Sequence, residues 1–343
     1  MSKLPRASQD ALAYPDLVIV RYPRSWGQTT ATELAKFLAT LSSDTTGITF
    51  CGNVEVGDEM IKALGPVLRR LRHLGLVGVP IGPRGMHALA NDPRASGLEV
   101  LMLGGVMVRE IGGPSPISPD KLDPKYTAMA TCRLGDEGVS ALGHATQLAA
   151  LRKLDLSNVV ASKATWLAFA KSPLVAQLEC LTLGGTDIEP ATMAVLCEHA
   201  VSLRALAIET QHADEDARVL ANSPIMPQIE RLCLRWVRNE TIEFILDGAW
   251  PSLHALEVSP TLDARTIEII ARRRGVPMLR TLYLESTSQI ATGEQEIWTD
   301  WTGIEIGSSP AYVRIDDIVK QYLPHETIKI LPSPSWPATW LGL

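Results

Sequence analysis

The sequence predicts an α/β solenoid shaped as a horseshoe, with a parallel sheet on its concave side and helices on its convex side. Three observations predict it: a six-residue pattern that recurs, a near-constant interval between its copies, and a pair of apolar residues at a fixed offset after several of them. The pattern is LxxLxL, found as LRHLGL from Leu71, LEVLML from Leu98, LRKLDL from Leu151 and LECLTL from Leu178. It continues as LRALAI from Leu203, IERLCL from Ile229, LHALEV from Leu253 and LRTLYL from Leu279. The starts are separated by 27, 53, 27, 25, 26, 24 and 26 residues. Only the 53 departs, and because it is close to two periods a degenerate repeat starting near Pro124 is expected to fill it.

Each unit reads as strand, turn and short helix. Alternate residues of a strand point the same way, so positions four and six of the motif enter the core, and position one closes the turn into it. Apolar pairs then fall 15 and 18 positions after the start: Met86 and Leu89, Trp166 and Phe169, Met193 and Leu196. Val139 and Leu142 fit if a repeat starts at Pro124. The i, i+3 spacing places each pair on one helix face. The same offsets from Thr45 reach Met60 and Ala63, so TGITF reads as a strand as well. Neither element can bury its apolar side alone, and stacking in parallel covers both.

The ends are irregular. LVIV (Leu17 to Val20) is a first strand and TELAKFLATL (Thr32 to Leu41) a helix, with RYPRSWGQ as the loop between them and Trp26 packed into the cap. The chain divides into an N-terminal cap with an irregular first repeat (1–44), the repeats (45–291), and degenerate repeats with a C-terminal cap (292–343). In the last region GIEIG (Gly303 to Gly307) and TIKIL (Thr327 to Leu331) are strand-like and 24 residues apart, with the amphipathic IDDIVKQYL (Ile315 to Leu323) between them. They predict two further repeats. Trp298, Trp301, Trp336 and Trp340 are expected to shield the last open strand edge, or else to form a self-association or partner surface. In the repeat from Leu98 the helix position is occupied by GGPSPISPD (Gly112 to Asp120), whose glycines and prolines require a loop.

LGDEGVSAL (Leu134 to Leu142) and IGPRGMHAL (Ile81 to Leu89) resemble the turn-and-helix segment of ribonuclease-inhibitor-like leucine-rich repeats. The resemblance covers about residues 45 to 290 and implies a leucine-rich-repeat solenoid. It is specific for fold and not for function, because members of that family bind unrelated partners. This chain departs from the family in its shorter repeats and at position nine. Asn53 and Cys132 match there, while Val79, Val106, Val159, Thr186 and Thr261 do not.

Composition narrows the chemistry. The net charge of -6, with no basic block, argues against binding a nucleic-acid backbone. Arg272 to Arg274 sit at a predicted helix end, where they complement the helix dipole. No run of about 18 apolar residues predicts a membrane span, and MSKLPRASQDALAY lacks the apolar stretch of a signal peptide. Five widely spaced cysteines without a CxxC read as reduced, buried thiols of a cytoplasmic protein. There is no GxSxG, HExxH, P-loop or dinucleotide motif, and the histidines are scattered. Asp214 with Asp216, and Asp316 with Asp317, read as helix-start acids. No catalytic residue, metal or cofactor is expected.

Positions three, five, seven and eight face away from the core. In the N-terminal half they are small: Gly75, Gly104, Gly105, Ala128, Ala130, Gly184 and Gly185. In the C-terminal half they are Glu209, Arg231, Arg235, Trp236, Glu257, Tyr283 and Glu285. Adjacent strands lie about 4.8 Å apart, so these seven form one patch, rich in residue types that dominate interfaces. The blander reading is a solvated charge ladder pairing across strands. The expected function is a non-catalytic protein-binding scaffold acting through its concave face, with neither nucleic acid nor membrane as partner. The alternatives are a regulator of a small GTPase, implied by analogy with similar repeat proteins, and a structural subunit that self-assembles through its tryptophan-rich end.

Overall fold

The computed structural model describes residues 17–21, 31–51, 57–104, 133–210, 212–235, 237–248, 250–259, 281–284 and 329–332. Eleven strands form one sheet in strict chain order. They are β1 (Leu17–Arg21), β2 (Gly47–Cys51), β3 (His73–Val77), β4 (Val100–Met102), β5 (Lys153–Asp155) and β6 (Cys180–Gly184), then β7 (Ala205–Glu209), β8 (Arg231–Arg235), β9 (Ala255–Ser259), β10 (Thr281–Leu284) and β11 (Lys329–Pro332). Every pairing is parallel. The helices are α1 (Ala31–Ala39), α2 (Glu59–Leu68), α3 (Pro83–Ala90), α4 (Gly135–Gly143), α5 (Lys163–Ala170), α6 (Pro173–Gln177), α7 (Pro190–His199), α8 (Ala213–Ala221) and α9 (Asn239–Asp247). Helices need about 10 Å of width each and strands about 4.8 Å, so the helical layer is the convex one. The architecture is a leucine-rich-repeat solenoid.

The core lies between the layers, where the motif places it. Leu71, Leu74 and Leu76 of one unit, and Leu178, Leu181 and Leu183 of another, are wholly buried. The helix pairs Met86 with Leu89, Trp166 with Phe169 and Met193 with Leu196 close the core from the other side. Trp166 and Phe169 meet edge to face with ring centroids 5.9 Å apart. Each such burial contributes roughly 1.5–3 kcal/mol.

A backbone ladder runs beside the leucines. The carbonyl at motif position two accepts the N–H groups of positions two and three of the next unit. Thr46 accepts from Arg72 and His73, Arg72 from Glu99 and Val100, Glu99 from Arg152 and Lys153. Arg152, Glu179, Arg204 and Glu230 continue the series as far as His254 and Ala255. Helix starts are also tied across units. Asp58 Oδ1 accepts the N–H of Gly82 at 2.7 Å, Asp136 Oδ1 that of Ser162 at 2.5 Å, and Asp214 Oδ1 that of Arg238 at 3.0 Å. Gly82, Ser162 and Arg238 are the residues that precede α3, α5 and α9, so these caps come from the preceding unit.

Two expectations are corrected. β4 pairs directly with β5, Val100 on Lys153 through Met102 on Asp155, so a repeat from Pro124 supplies no strand between them. Its expected helix does exist: α4 carries the buried Val139 and Leu142 and packs between α3 and α5. The strand after Leu98 and this helix therefore belong to one unit, with residues 105–132 inserted between them. Period arithmetic counts residues, whereas places in the ladder are filled by hydrogen bonds. Likewise β10 pairs directly with β11, so Gly303 to Gly307 takes no place between them, and the last strand runs from Lys329 to Pro332. Trp26, the loop Gly112 to Asp120, Arg272 to Arg274, the helix Ile315 to Leu323 and the four C-terminal tryptophans lie outside the described residues.

Leu181 sits mid-array with no exposure. Leu181→Ala is expected to cost about 2–5 kcal/mol in urea unfolding. A loss under about 1 kcal/mol would contradict a shared core at this position.

Candidate binding face

Parallel register lays position five of every unit in one row across the concave face. Thr49, Gly75, Met102, Asp155, Thr182, Ala207, Cys233, Glu257 and Tyr283 are successive neighbours. Much of this face is closed. His73, Val100, Met102, Asp155, Thr182 and Cys233 are buried, and Val100, Met102, Cys180 and Ala205 form an apolar cluster separate from the main core. Glycine serves where neighbours crowd: a Cβ on Gly75 would stand 2.6 Å from Thr49 Oγ1.

The structure brings five of the seven expected patch residues, Glu209, Arg231, Arg235, Glu257 and Tyr283, onto adjacent strands, β7 to β10. Glu257 has Cys233 on one side and Tyr283 on the other, and Arg231 and Arg235 flank Cys233 along β8. Their exposure differs from that of an open patch. Glu209 is 4% exposed and Glu257 0%, while Arg231 is half-buried. Glu209, Arg231 and Glu257 each engage another group of the chain. A buried carboxyl group is tolerable only when partnered, so Glu209 and Glu257 belong to the interior of the fold. Trp236, Glu285, Gly105, Ala128 and Ala130 lie outside the described residues, as do the side chains of Arg235 and Tyr283.

The titratable groups of this face are governed by packing. His73 accepts or donates a 2.7 Å hydrogen bond between Nε2 and Thr49 Oγ1. Burial, assisted by the charge of Lys153, holds its pKa down at about 4, so it is neutral at pH 7. Burial pushes Asp155 up to about 6, opposed by the Ser157 N–H at 2.9 Å and hydroxyl at 2.5 Å, both donating to Oδ1. Burial also raises the thiols of Cys180, on this face, and of Cys197, in the core on α7, to about 11 and about 12, which makes them poor nucleophiles. Among the described residues no cluster of His, Cys, Asp and Glu could hold a metal ion, and no helix is long and apolar enough to cross a membrane.

A row absent from the expected site stands on the sheet's outer edge. Position two reads Arg72, Glu99, Arg152, Glu179, Arg204, Glu230, alternating in sign. Arg72 Nη1 lies 2.6 Å from Glu99 Oε1, Arg204 Nη1 2.5 Å from Glu230 Oε1, and Arg152 Nε 4.0 Å from Glu179 Oε1. The signal that finds it is in the sequence: the residue directly after the first leucine of each motif.

Asp155 yields a pH prediction. Its folded pKa of about 6 exceeds the unfolded value, so the cost of ionising it builds between about pH 4 and pH 6, is full above pH 6 and is absent below about pH 4. Asp155→Asn is expected to gain on wild type by up to ~3 kcal/mol between about pH 4 and pH 7, followed by thermal unfolding across that range. A gap between the two proteins that stays constant with pH would refute a carboxyl whose ionisation is opposed by burial.

No known protein family and no curated protein matches this sequence. Among solved structures, the chain is similar to an internalin from Listeria monocytogenes with a TM-score of 0.29 and 14% identity, over 79% of this chain and 81% of the internalin. The assignment as a leucine-rich-repeat solenoid rests on the strand register and the buried leucine positions described above.

Proposed function

We propose that this protein is a non-catalytic scaffold that recognises a protein partner through the concave face of its C-terminal half. One observation carries the reading: a single parallel register sets Glu209, Arg231, Arg235, Glu257 and Tyr283 on four neighbouring strands, with Trp236 and Glu285 next in the chain. Arg231, half-buried, keeps part of its surface for contact, and the buried Glu209 and Glu257 lie beneath the patch as part of its support. Arginine, tryptophan and tyrosine are the residue types that most often carry interface energy.

A non-catalytic role is supported by His73, Asp155, Cys180 and Cys197, whose shifts arise chiefly from burial rather than from a nucleophile set against a base. The α-helices that follow most strands support the likeness to ribonuclease-inhibitor-like repeats. Three buried free thiols, Cys180, Cys197 and Cys233, support a cytoplasmic location.

The test is a pull-down from native extract with wild type, Arg231→Glu, the Arg235→Glu/Trp236→Ala double variant, and Lys171→Glu on an exposed helix end as control. Both patch variants are expected to lose captured partners by tenfold or more, about the effect of removing a hot spot. The control retains them. An unchanged partner list for the double variant would overturn the reading. Light scattering on the same samples separates a self-assembling subunit, which would show a concentration-dependent oligomer.

A further inference from the structure

The aliphatic core gives neighbouring units adhesion but not identity. Positions one, four and six are aliphatic in every unit from Leu71 to Leu279, so these strand positions do not tell one neighbour from another. Mispairing of near-identical units is a characteristic failure of repeat proteins. Something outside the core has to distinguish the correct neighbour. The position-two carbonyls fix six side chains, Arg72, Glu99, Arg152, Glu179, Arg204 and Glu230, in one accessible row, and their signs alternate without a break. The alternation holds only when the 53-residue interval counts as a single unit, as β4 on β5 shows. A unit framed at Pro124 would set Lys125 between Glu99 and Arg152 and put two cations in succession.

We propose that this row is a stacking code: each unit accepts a neighbour of opposite sign and rejects the unit beyond it. Skipping one unit leaves every leucine buried but sets Arg72 against Arg152 and Glu99 against Glu179. The same rule opposes exchange of units between two copies of the chain at an odd offset. Each exposed pair is weak alone. The code works because the whole row changes sign relation at once, in competition between arrangements that the core cannot tell apart.

Three full-length variants test it. The uniform row is Glu99→Arg, Glu179→Arg and Glu230→Arg. The inverted row exchanges all six charges and keeps the alternation. The neutral row is Glu99→Gln, Glu179→Gln and Glu230→Gln. Each is unfolded in urea, diluted to refold, and scored by size-exclusion chromatography with light scattering for recovery of monomer. The inverted row is expected to match wild type. The uniform row is expected to fall by roughly fivefold, the neutral row to lie between, and 1 M salt, where screening acts within about 3 Å, to restore much of the uniform row's loss. A uniform row that refolds as wild type overturns the code. So does an inverted row that fails as badly as the uniform one, since that would make the particular residues, and not their signs, the requirement.

Discussion

Each unit of this protein owns only half of a core. Its inward leucines and its helix pair enclose an apolar layer that remains open on both flanks until another unit is laid against it. That single constraint forces the strands into one parallel sheet, pairs each with its sequence neighbour, and sets the curvature through the unequal widths of strand and helix. The outward residues inherit their positions from it. Glu257 lies between Cys233 and Tyr283 because Leu256, one residue earlier, is buried in the core and pairs in register with Leu232 and Leu282.

The face that this geometry produces is less open than its residue types suggest. His73 is tied to Thr49, Asp155 to Ser157, and Glu209 and Glu257 are interior. The polar residues of the concave side are therefore partly structural, and under the proposed function recognition falls to side chains that keep some contact with water, Arg231 among those described. The outer edge is organised differently. There the charges are exposed, paired with the adjacent unit, and spaced by the ladder beneath them.

What could be read from the sequence follows from what is local. Leucine spacing and the offset pairs locate the strands and most helices, because strand and helix periods are properties of short segments. Even the first strand, Leu17–Arg21, and the helix Ala31–Ala39 fall where the pattern sets them. Places in the ladder were not legible. Pro124 and Gly303 to Gly307 have suitable spacing, yet β4 on β5 and β10 on β11 close those gaps through hydrogen bonds between residues far apart in the chain. The burial of Glu209 and Glu257 was hidden for the same reason, since it depends on what packs over a strand and not on the strand. The alternation at position two was legible, but a template built on hydrophobic positions passes over it.

The forward-reaching caps give the array a direction. Asp58 precedes the Gly82 amide it accepts from by 24 residues, Asp136 precedes Ser162 by 26, and Asp214 precedes Arg238 by 24. On the ribosome, each acceptor is synthesised before its donor. Growth from the N-terminus thus meets a prepared surface at every one of these junctions, whereas a fragment begun at Leu151 or Ile229 would have to start its first helix without the carboxylate that its predecessor lends.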